Sequence, residues 1–325
     1  MKSNILIIGG LGFAGSTITS YFLNRGYKVT VIDKLLFNNN QINKLKKKNF
    51  SFFRIDILNF RELNKFFDNK QFDVVFHLAA IVGDPACKVN ENLTLKTNLE
   101  ASKKVFQIAK KNGVKKFIFF STCSNYGLSK NSKLLKETDK LKPLSLYAKT
   151  KVKFEKYLLK DNSKIKKIIL RISTLYGVSP RMRFDLTINE FAKKVYFNEK
   201  FEIYHADTWR PYLNLDDLSL IVGKIIKSKK LNNNKYVFNT GYSEENYTKR
   251  QIISSITNLL PKNKNYKFVE KDHFDKRNYK VNFSKISNLN IKKTVSLKNG
   301  ILKILNFLKN KEKNSLKSKV FYNHK

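Results

Sequence analysis

Residues 4–15 read Asn-Ile-Leu-Ile-Ile-Gly-Gly-Leu-Gly-Phe-Ala-Gly, and this stretch decides the fold. Its first five residues are mostly apolar, which predicts a parallel strand that is covered on both faces. Three glycines follow at the spacing GxxGxxG: Gly9, Gly12 and Gly15. We expect a helix from Ser16 to Asn24. Strand, glycine turn and helix stand in the order that a dinucleotide requires, because backbone amides at a helix N-terminus must reach its phosphates without side-chain obstruction.

A second apolar strand, residues 28–32, ends at Asp33. An acid at this point can accept hydrogen bonds from both hydroxyls of an adenosine ribose and would repel a 2′-phosphate, so NAD is favoured over NADP. Lys34, which follows it, weakens that preference. Asp56 comes at the end of a third strand, where it either faces the adenine or is a solvated loop acid.

A fourth strand, residues 73–77, runs into Leu78-Ala79-Ala80. The small residues there would let the chain pass close beneath a cofactor. His77 is interpreted as a packed histidine at the end of the strand rather than as a catalyst.

The alternation of strands and helices predicts an α/β protein with a Rossmann-type, doubly wound parallel sheet. We assign residues 1–170 to an NAD-binding domain, to which residues 206–240 return. Residues 171–205 and 241–308 are expected to form a smaller C-terminal substrate-binding lobe. Residues 309–325 are expected to form a basic, frayed tail.

The balance of 65 Lys and Arg against 25 Asp and Glu gives a formal net charge of +40. Only nine of the basic residues are arginine, and the lysines are spread along the whole chain, so nucleic-acid binding is disfavoured. The two cysteines, Cys87 and Cys123, form neither a zinc motif nor a disulfide framework. No stretch approaches the roughly 20 apolar residues of a membrane span, so we expect a cytoplasmic protein without a membrane partner.

A second constellation lies at the end of a fifth strand, residues 116–120, which leads into the polar stretch 121–127. Tyr147 and Lys151 then begin a helix that extends to about Lys160. Because they are four residues apart, their side chains lie on one helical face. A neighbouring ammonium and a cationic nicotinamide would both favour the phenolate of this tyrosine, which is otherwise a weak base at neutral pH.

With these features the sequence resembles the extended short-chain dehydrogenase/reductases of the nucleotide-sugar epimerase/dehydratase group. The resemblance covers nearly the whole chain. Its marks are Gly9 to Gly15, His77 to Ala80, Asn98, Ser121 to Gly127, Tyr147 with Lys151, Leu170-Arg171 with Tyr176-Gly177, Trp209 to Tyr212, Asp217, and Asn239 to Gly241.

The resemblance implies Tyr147 as the acid/base, Lys151 as its pKa modifier and ribose ligand, and Thr122 as the hydroxyl that orients the substrate. The expected cofactor contacts are Gly9, Gly12, Phe13, Ala14, Gly15, Asp33, Asp56, Ile57, Leu78, Ala79, Ala80, Asn98, Tyr147 and Lys151. The expected contacts to a nucleoside-diphosphate sugar are Thr122, Cys123, Thr174, Arg181, Arg210 and Arg277. Asn98 is also interpreted as a structural or water-ordering residue. A homodimer is expected by resemblance.

The family's branches differ at the two positions after Thr122. Relatives that perform 4,6-dehydration carry an Asp-Glu pair there, whereas this chain has Cys123 and Ser124, so simple 4,6-dehydration is disfavoured. Cys123 is interpreted chiefly as a buried thiol at the end of the strand. Asp84 or Cys87 could supply a second proton-transfer group, or the loop that holds them is ordinary turn chemistry.

The resemblance therefore predicts an NAD-dependent epimerase of a nucleoside-diphosphate sugar, serving surface-polysaccharide synthesis. A reductase or dehydrogenase of a keto-sugar nucleotide, with net redox turnover, is the first alternative. A non-catalytic NAD-binding protein is the second.

Overall fold

The computed structural model describes residues 2–37, 45, 48–68, 70–129, 133–261, 263–270 and 277–323. The strands are β1 (Asn4–Ile8), β2 (Lys28–Ile32), β3 (Phe50–Phe53), β4 (Val74–His77), β5 (Lys116–Thr122), β6 (Leu134–Leu135), β7 (Lys166–Ile172), β8 (Thr174–Tyr176), β9 (Phe201–Tyr204), β10 (Trp209–Asn214), β11 (Lys235–Thr240), β12 (Asn246–Thr248), β13 (Tyr266–Val269) and β14 (Lys280–Val281). The helices are α1 (Phe13–Leu23), α2 (Phe60–Asp68), α3 (Asp84–Val89), α4 (Glu91–Leu95), α5 (Ser102–Lys111), α6 (Leu146–Lys160), α7 (Thr187–Tyr196), α8 (Leu215–Lys227), α9 (Lys249–Thr257), α10 (Ser284–Ser287) and α11 (Leu297–Lys309).

Seven strands form one parallel sheet in the order β11-β7-β5-β4-β1-β2-β3. The chain moves outward from β1 in one direction through β2 and β3, and in the other through β4 and β5. Ile5 and Ile7 of β1 lie in one hydrophobic cluster, while Leu6 and Ile8 lie in the cluster on the opposite face. The predicted doubly wound sheet is confirmed, and its carboxyl edge at β1 and β4 is the switch point where such folds bind ligands.

Helix α1 begins at Phe13, three residues earlier than the sequence predicts. Gly12 is its N-cap residue, and Gly15 lies inside its first turn. A Cβ atom on Gly15 would overlap the carbonyl oxygen of Gly9, so the third glycine allows the helix to start close against the turn.

A smaller lobe is built from the three-stranded sheet β12-β10-β8, the pair β13-β9 and helices α7, α9 and α11. Ile301, Ile304 and Leu308 of α11 are fully buried in its core. The segment 206–240 divides between the two parts: β10 pairs with β8 and β12, whereas β11 joins the seven-stranded sheet beside β7. Across the described ranges, no helix combines the length and apolar content needed to cross a membrane.

The tail that was predicted to fray is exposed over residues 310–315 and 317–319, but its second half packs on the small lobe at Leu316, Phe321 and Tyr322. Residues 315–317 and 319–321 form short 3₁₀ turns, Leu316 is fully buried, and Tyr322 is 6% exposed. These apolar residues stand among lysines, so the sequence pattern does not predict their contact with the small lobe. Residues 324 and 325 lie outside the described residues.

Candidate active site

A cavity of about 940 Å³ lies at the carboxyl ends of the central strands and extends to the small lobe. Except for Asn98, the cofactor contacts predicted from sequence line this cavity. They are Gly9, Gly12, Phe13, Ala14, Gly15, Asp33, Asp56, Ile57, Leu78, Ala79, Ala80, Tyr147 and Lys151. The predicted substrate contacts that line it are Thr122, Thr174, Arg181, Arg210 and Arg277. The fold thus brings two predicted sets of residues to one cavity.

The glycine turn at one end of this cavity has the geometry of a phosphate cradle. Gly9 has φ +83°, and a Cβ atom there would stand 2.6 Å from the backbone nitrogen of Ala79. Gly12 caps α1 without a side-chain hydrogen bond, so the first amides of the helix remain available to an anion. These features fit the diphosphate of a dinucleotide.

Asp33 lies beside the turn and holds it through backbone hydrogen bonds. Its Oδ2 atom accepts from the Leu11 amide at 3.0 Å, and its Oδ1 atom accepts from the Leu35 amide at 2.9 Å. Each carboxylate oxygen keeps a lone pair with which to accept a ribose hydroxyl. Burial raises the pKa of Asp33, although these two amides oppose the shift. Lys34, which the sequence sets against an NAD preference, pairs with Asp56 at 3.4 Å.

Arg181 reaches this same end of the cavity. Its guanidinium carbon lies 3.9 Å from the centre of the Phe37 ring, and Asp33 is close enough to raise its pKa. Burial nevertheless lowers the pKa of Arg181 to about 10. The side chain is 5% exposed, and its Nε and Nη2 atoms have no hydrogen-bond partner. A buried guanidinium with unpaired donors fits an anionic ligand.

The predicted catalytic residues stand on two neighbouring elements. Thr122 ends β5, and its Oγ1 atom accepts a hydrogen bond from the Ser124 amide at 3.1 Å. Tyr147 lies in the first turn of α6, which is capped by the side chain of Ser145. The Lys151 Nζ atom donates to the Phe120 carbonyl at 2.8 Å and lies 5.6 Å from the centre of the Tyr147 ring.

Burial dominates the acid–base properties of this pair. It lowers the pKa of Lys151 to about 7, while Cys87 and Glu155 oppose the shift. It also raises the pKa of Tyr147 well above its usual value, and the positive charges of Arg183 and Arg277 only partly offset that rise. Burial, with Cys87 and Asp84 acting in the same direction, therefore outweighs the lowering that was expected from a neighbouring ammonium.

A buried carboxylate, Glu155, joins α6 to both β5 and β7. The Glu155 carboxylate accepts from the Arg171 Nη2 atom at 2.9 Å, from the Asn125 amide at 2.8 Å and from the Ser121 hydroxyl. Ser121 precedes Thr122, and Glu155 lies one helical turn after Lys151, so the Ser121 hydrogen bond holds β5 against α6 while the ion pair with Arg171 joins α6 to β7. The sequence analysis missed Glu155, although it is the only acidic residue in the lysine-rich helix α6.

Arginines close the other end of the cavity. The Arg277 Nη1 atom donates to the Ser124 hydroxyl at 3.0 Å, and its Nη2 atom lies 3.2 Å from Asp84. Arg210 donates to the backbone carbonyl of Arg277, which links the two predicted substrate arginines. Arg183 pairs with Asp185 at 2.8 Å.

Two predicted contacts do not line the cavity. Cys123 is 1% exposed and donates its thiol to the Arg171 carbonyl, because the turn after Thr122 directs it into the core. The prediction of Cys123 as a substrate contact is therefore corrected. Asn98, predicted as a cofactor contact, is also corrected. Its amide donates to the Ile81 carbonyl at 2.9 Å and accepts from the Ile81 amide at 2.8 Å, which makes it a support of that loop.

Two further side chains have structural surroundings. Burial raises the pKa of Cys87 to about 11, so its thiol stays protonated at neutral pH and donates to the Ile81 carbonyl at 3.4 Å. Burial lowers the pKa of His77 to about 3, and its Nε2 atom bonds to the Ser102 hydroxyl at 2.8 Å. The interpretation of His77 as a packed histidine is confirmed.

A dinucleotide cradle that shares one cavity with a tyrosine and a lysine on a single helical face defines a nicotinamide-dependent enzyme of the short-chain dehydrogenase/reductase type. The model of the NAD dependent epimerase/dehydratase family matches residues 5–241, and the chain belongs to this family.

Relatives of known activity match almost the whole chain. It is 28% identical over 318 residues to a UDP-glucuronate 4-epimerase of Thermodesulfobacterium geofontis, covering 94% of this chain and 95% of that protein. Its fold matches a UDP-glucose 4-epimerase of Thermotoga maritima solved with UDP-glucose, with a TM-score of 0.83, 25% identity and 94% and 98% coverage.

A third match is a UDP-glucuronic acid 4-epimerase of Bacillus cereus, solved with UDP-glucuronic acid and NAD. The TM-score is 0.81 at 27% identity, with 94% of this chain and 99% of that chain covered. The protein is therefore an NAD-dependent enzyme of the nucleotide-sugar epimerase/dehydratase type.

Proposed function

We propose that this protein is an NAD-dependent 4-epimerase of a UDP-sugar. The observation that carries the proposal is the surroundings of Thr122 and Tyr147. The two positions after Thr122 carry no carboxylate for dehydration: Cys123 is buried against Arg171, and Ser124 is bonded to Arg277. The 4-epimerase activity of the relatives supports the same reaction.

In the proposed reaction the phenolic oxygen of Tyr147 takes the proton of the sugar 4-hydroxyl, while Thr122 orients that hydroxyl. The positive charge of a bound nicotinamide would favour the phenolate against the effect of burial. Bound in the cavity beside Tyr147 and Lys151, NAD would supply the acceptor, and later the donor, of the hydride at carbon 4. Tyr147 gives its proton back to the oxygen of the ketone after the sugar has presented its other face. Proton and hydride are both restored, so the turnover is redox-neutral.

The arginines divide between the two ligands. We assign Arg181 to the dinucleotide diphosphate rather than to the sugar nucleotide, because its unpaired donors lie beside Asp33 and Phe37. Arg210 is assigned to the diphosphate of the substrate. Arg277 is assigned to the sugar end, since it contacts Ser124 next to Thr122.

The test is turnover of a panel of UDP-sugars by the NAD-loaded protein, with products separated by chromatography and NADH followed by absorbance. We expect inversion at carbon 4 without net NADH, and a loss of about 100-fold or more for Tyr147→Phe. Tyr157→Phe is the matched control, because this tyrosine lies in the same helix and its hydroxyl accepts from Gln107 outside the cavity. NADH that forms in step with product would instead support the dehydrogenase alternative.

A further inference from the structure

Residues 315–323, called the strap below, run from the small lobe to the active-site cavity. Leu316 anchors the strap because it is fully buried, and the Tyr322 hydroxyl accepts a hydrogen bond from Lys193 at 3.1 Å. The Phe321 carbonyl accepts from the Phe184 amide at 2.9 Å. The strap is therefore held to the segment that carries Arg183 and Asp185.

Asn323 connects this segment to a loop on the opposite side of the cavity. Its backbone amide donates to Asp185 at 3.1 Å, and its side-chain amide donates to the Val82 carbonyl at 3.2 Å. Asn323 itself lines the cavity, and its Oδ1 atom is buried without a partner. One residue thus links the main sheet's β4 loop to the small lobe.

The loop of residues 81–84 is held on both sides of Val82: the Cys87 amide donates to the Gly83 carbonyl at 3.0 Å, and Asn323 adds the contact at Val82. Asn98 holds Ile81, as described above, but Gly83 has φ +100° and no atom near the position of its absent Cβ. Asp84, at the end of the loop, meets Arg277 and influences the pKa of Tyr147. Because Val82 is two residues before Asp84, its position affects where the Asp84 carboxylate lies relative to Tyr147.

We propose that Asn323 is a positioning residue that holds the 81–84 loop closed over the sugar during turnover. This inference rests on the proposed function, since an epimerase must keep its keto-sugar in the cavity until the hydride is returned. If the loop is loosened, the keto-sugar leaves before that return, and the two electrons removed from it remain on the enzyme as NADH. Asn323 would thus affect the coupling of the two half-reactions.

The experiment compares Asn323→Ala and Asn323→Asp with the wild type as NAD-loaded protein. Aspartate keeps the size of the side chain but cannot donate to the Val82 carbonyl. Asn314→Ala is the matched control, because this exposed asparagine lies just before the strap and its side chain makes no capping hydrogen bond. The measurements are the thermal midpoint, NAD content, hydrogen exchange of the amides of residues 82–84 and 86, and NADH accumulated per epimerisation.

We expect both Asn323 variants to keep the midpoint and NAD content of the wild type. Amide exchange at residues 82–84 and 86 and NADH per turnover should each rise about three- to tenfold, the effect of losing one hydrogen bond. If wild-type values are retained for both quantities while the protein epimerises UDP-sugars, the positioning role is refuted and the proposed function stands. If exchange rises but no UDP-sugar is epimerised by the wild type, the proposed function fails while the loop contact stands.

Discussion

Replacing Glu155 by glutamine tests whether the buried ion pair organises the catalytic end of the molecule. The Glu155 side chain is 2% exposed and that of Arg171 is 5% exposed. The carboxylate accepts hydrogen bonds from Arg171, Asn125 and Ser121. A glutamine of the same shape removes the negative charge and turns an NH₂ group towards donors, which leaves Arg171 as a buried charge without its counter-ion.

The expected cost follows from this burial. Removing one partner of a buried pair costs about 3–5 kcal/mol, a large part of the roughly 5–15 kcal/mol that stabilises a folded protein. At about 1.5 °C per kcal/mol for a chain of 325 residues, Glu155→Gln should lower the thermal midpoint by roughly 4–7 °C. Turnover should fall as well, because Glu155 also accepts from Ser121, which precedes Thr122, and lies one helical turn after Lys151.

The assay is thermal and urea unfolding of the wild type, Glu155→Gln and Glu190→Gln. Glu190 is the matched control: it is also in a helix and pairs with Lys194 at 2.6 Å, but the side chains of both Glu190 and Lys194 are partly exposed. An exposed pair of this kind is worth about 0.2–1 kcal/mol. If the two variants were equally stable, or if Glu155→Gln lost less than about 1 kcal/mol, the assigned role of the buried pair would be refuted.

Two further predictions concern the charges in the cavity. Folding lowers the pKa of Lys151 from about 10.5 to about 7, so the unfolded chain binds more protons than the folded chain between pH 7 and pH 10.5. The stability of the wild type relative to Lys151→Met should therefore rise by a few kcal/mol across that pH window. Urea unfolding of the cofactor-free proteins measures this difference in stability, and a difference that does not change with pH would contradict the lowered pKa. Arg181→Gln should weaken NAD binding about 10- to 100-fold, as measured by calorimetry. A change no larger than that of the exposed control Arg54→Gln would indicate that Arg181 contacts the sugar nucleotide instead.

The sequence was sufficient wherever a local requirement decides the residue. Gly9 and Gly15 are needed because a side chain there would overlap Ala79 or the backbone of the turn itself. Tyr147 and Lys151 share a helical face at any site where that segment is helical. The family motifs added Thr122, which no local rule identifies, and the seven-stranded sheet follows from alternating strands and helices.

The tertiary structure alone decided which distant side chains meet. Glu155 accepts a hydrogen bond from Ser121, 34 residues away in sequence, and Asn323 donates to Val82, 241 residues away in sequence. Local sequence specifies that a face is apolar or polar, but not which face of another element covers it. Because exposed lysines are abundant, the sequence also does not distinguish the polar groups that become buried. The packing of β5 against α6, and of the strap against two loops, therefore determined the roles of Glu155 and Asn323.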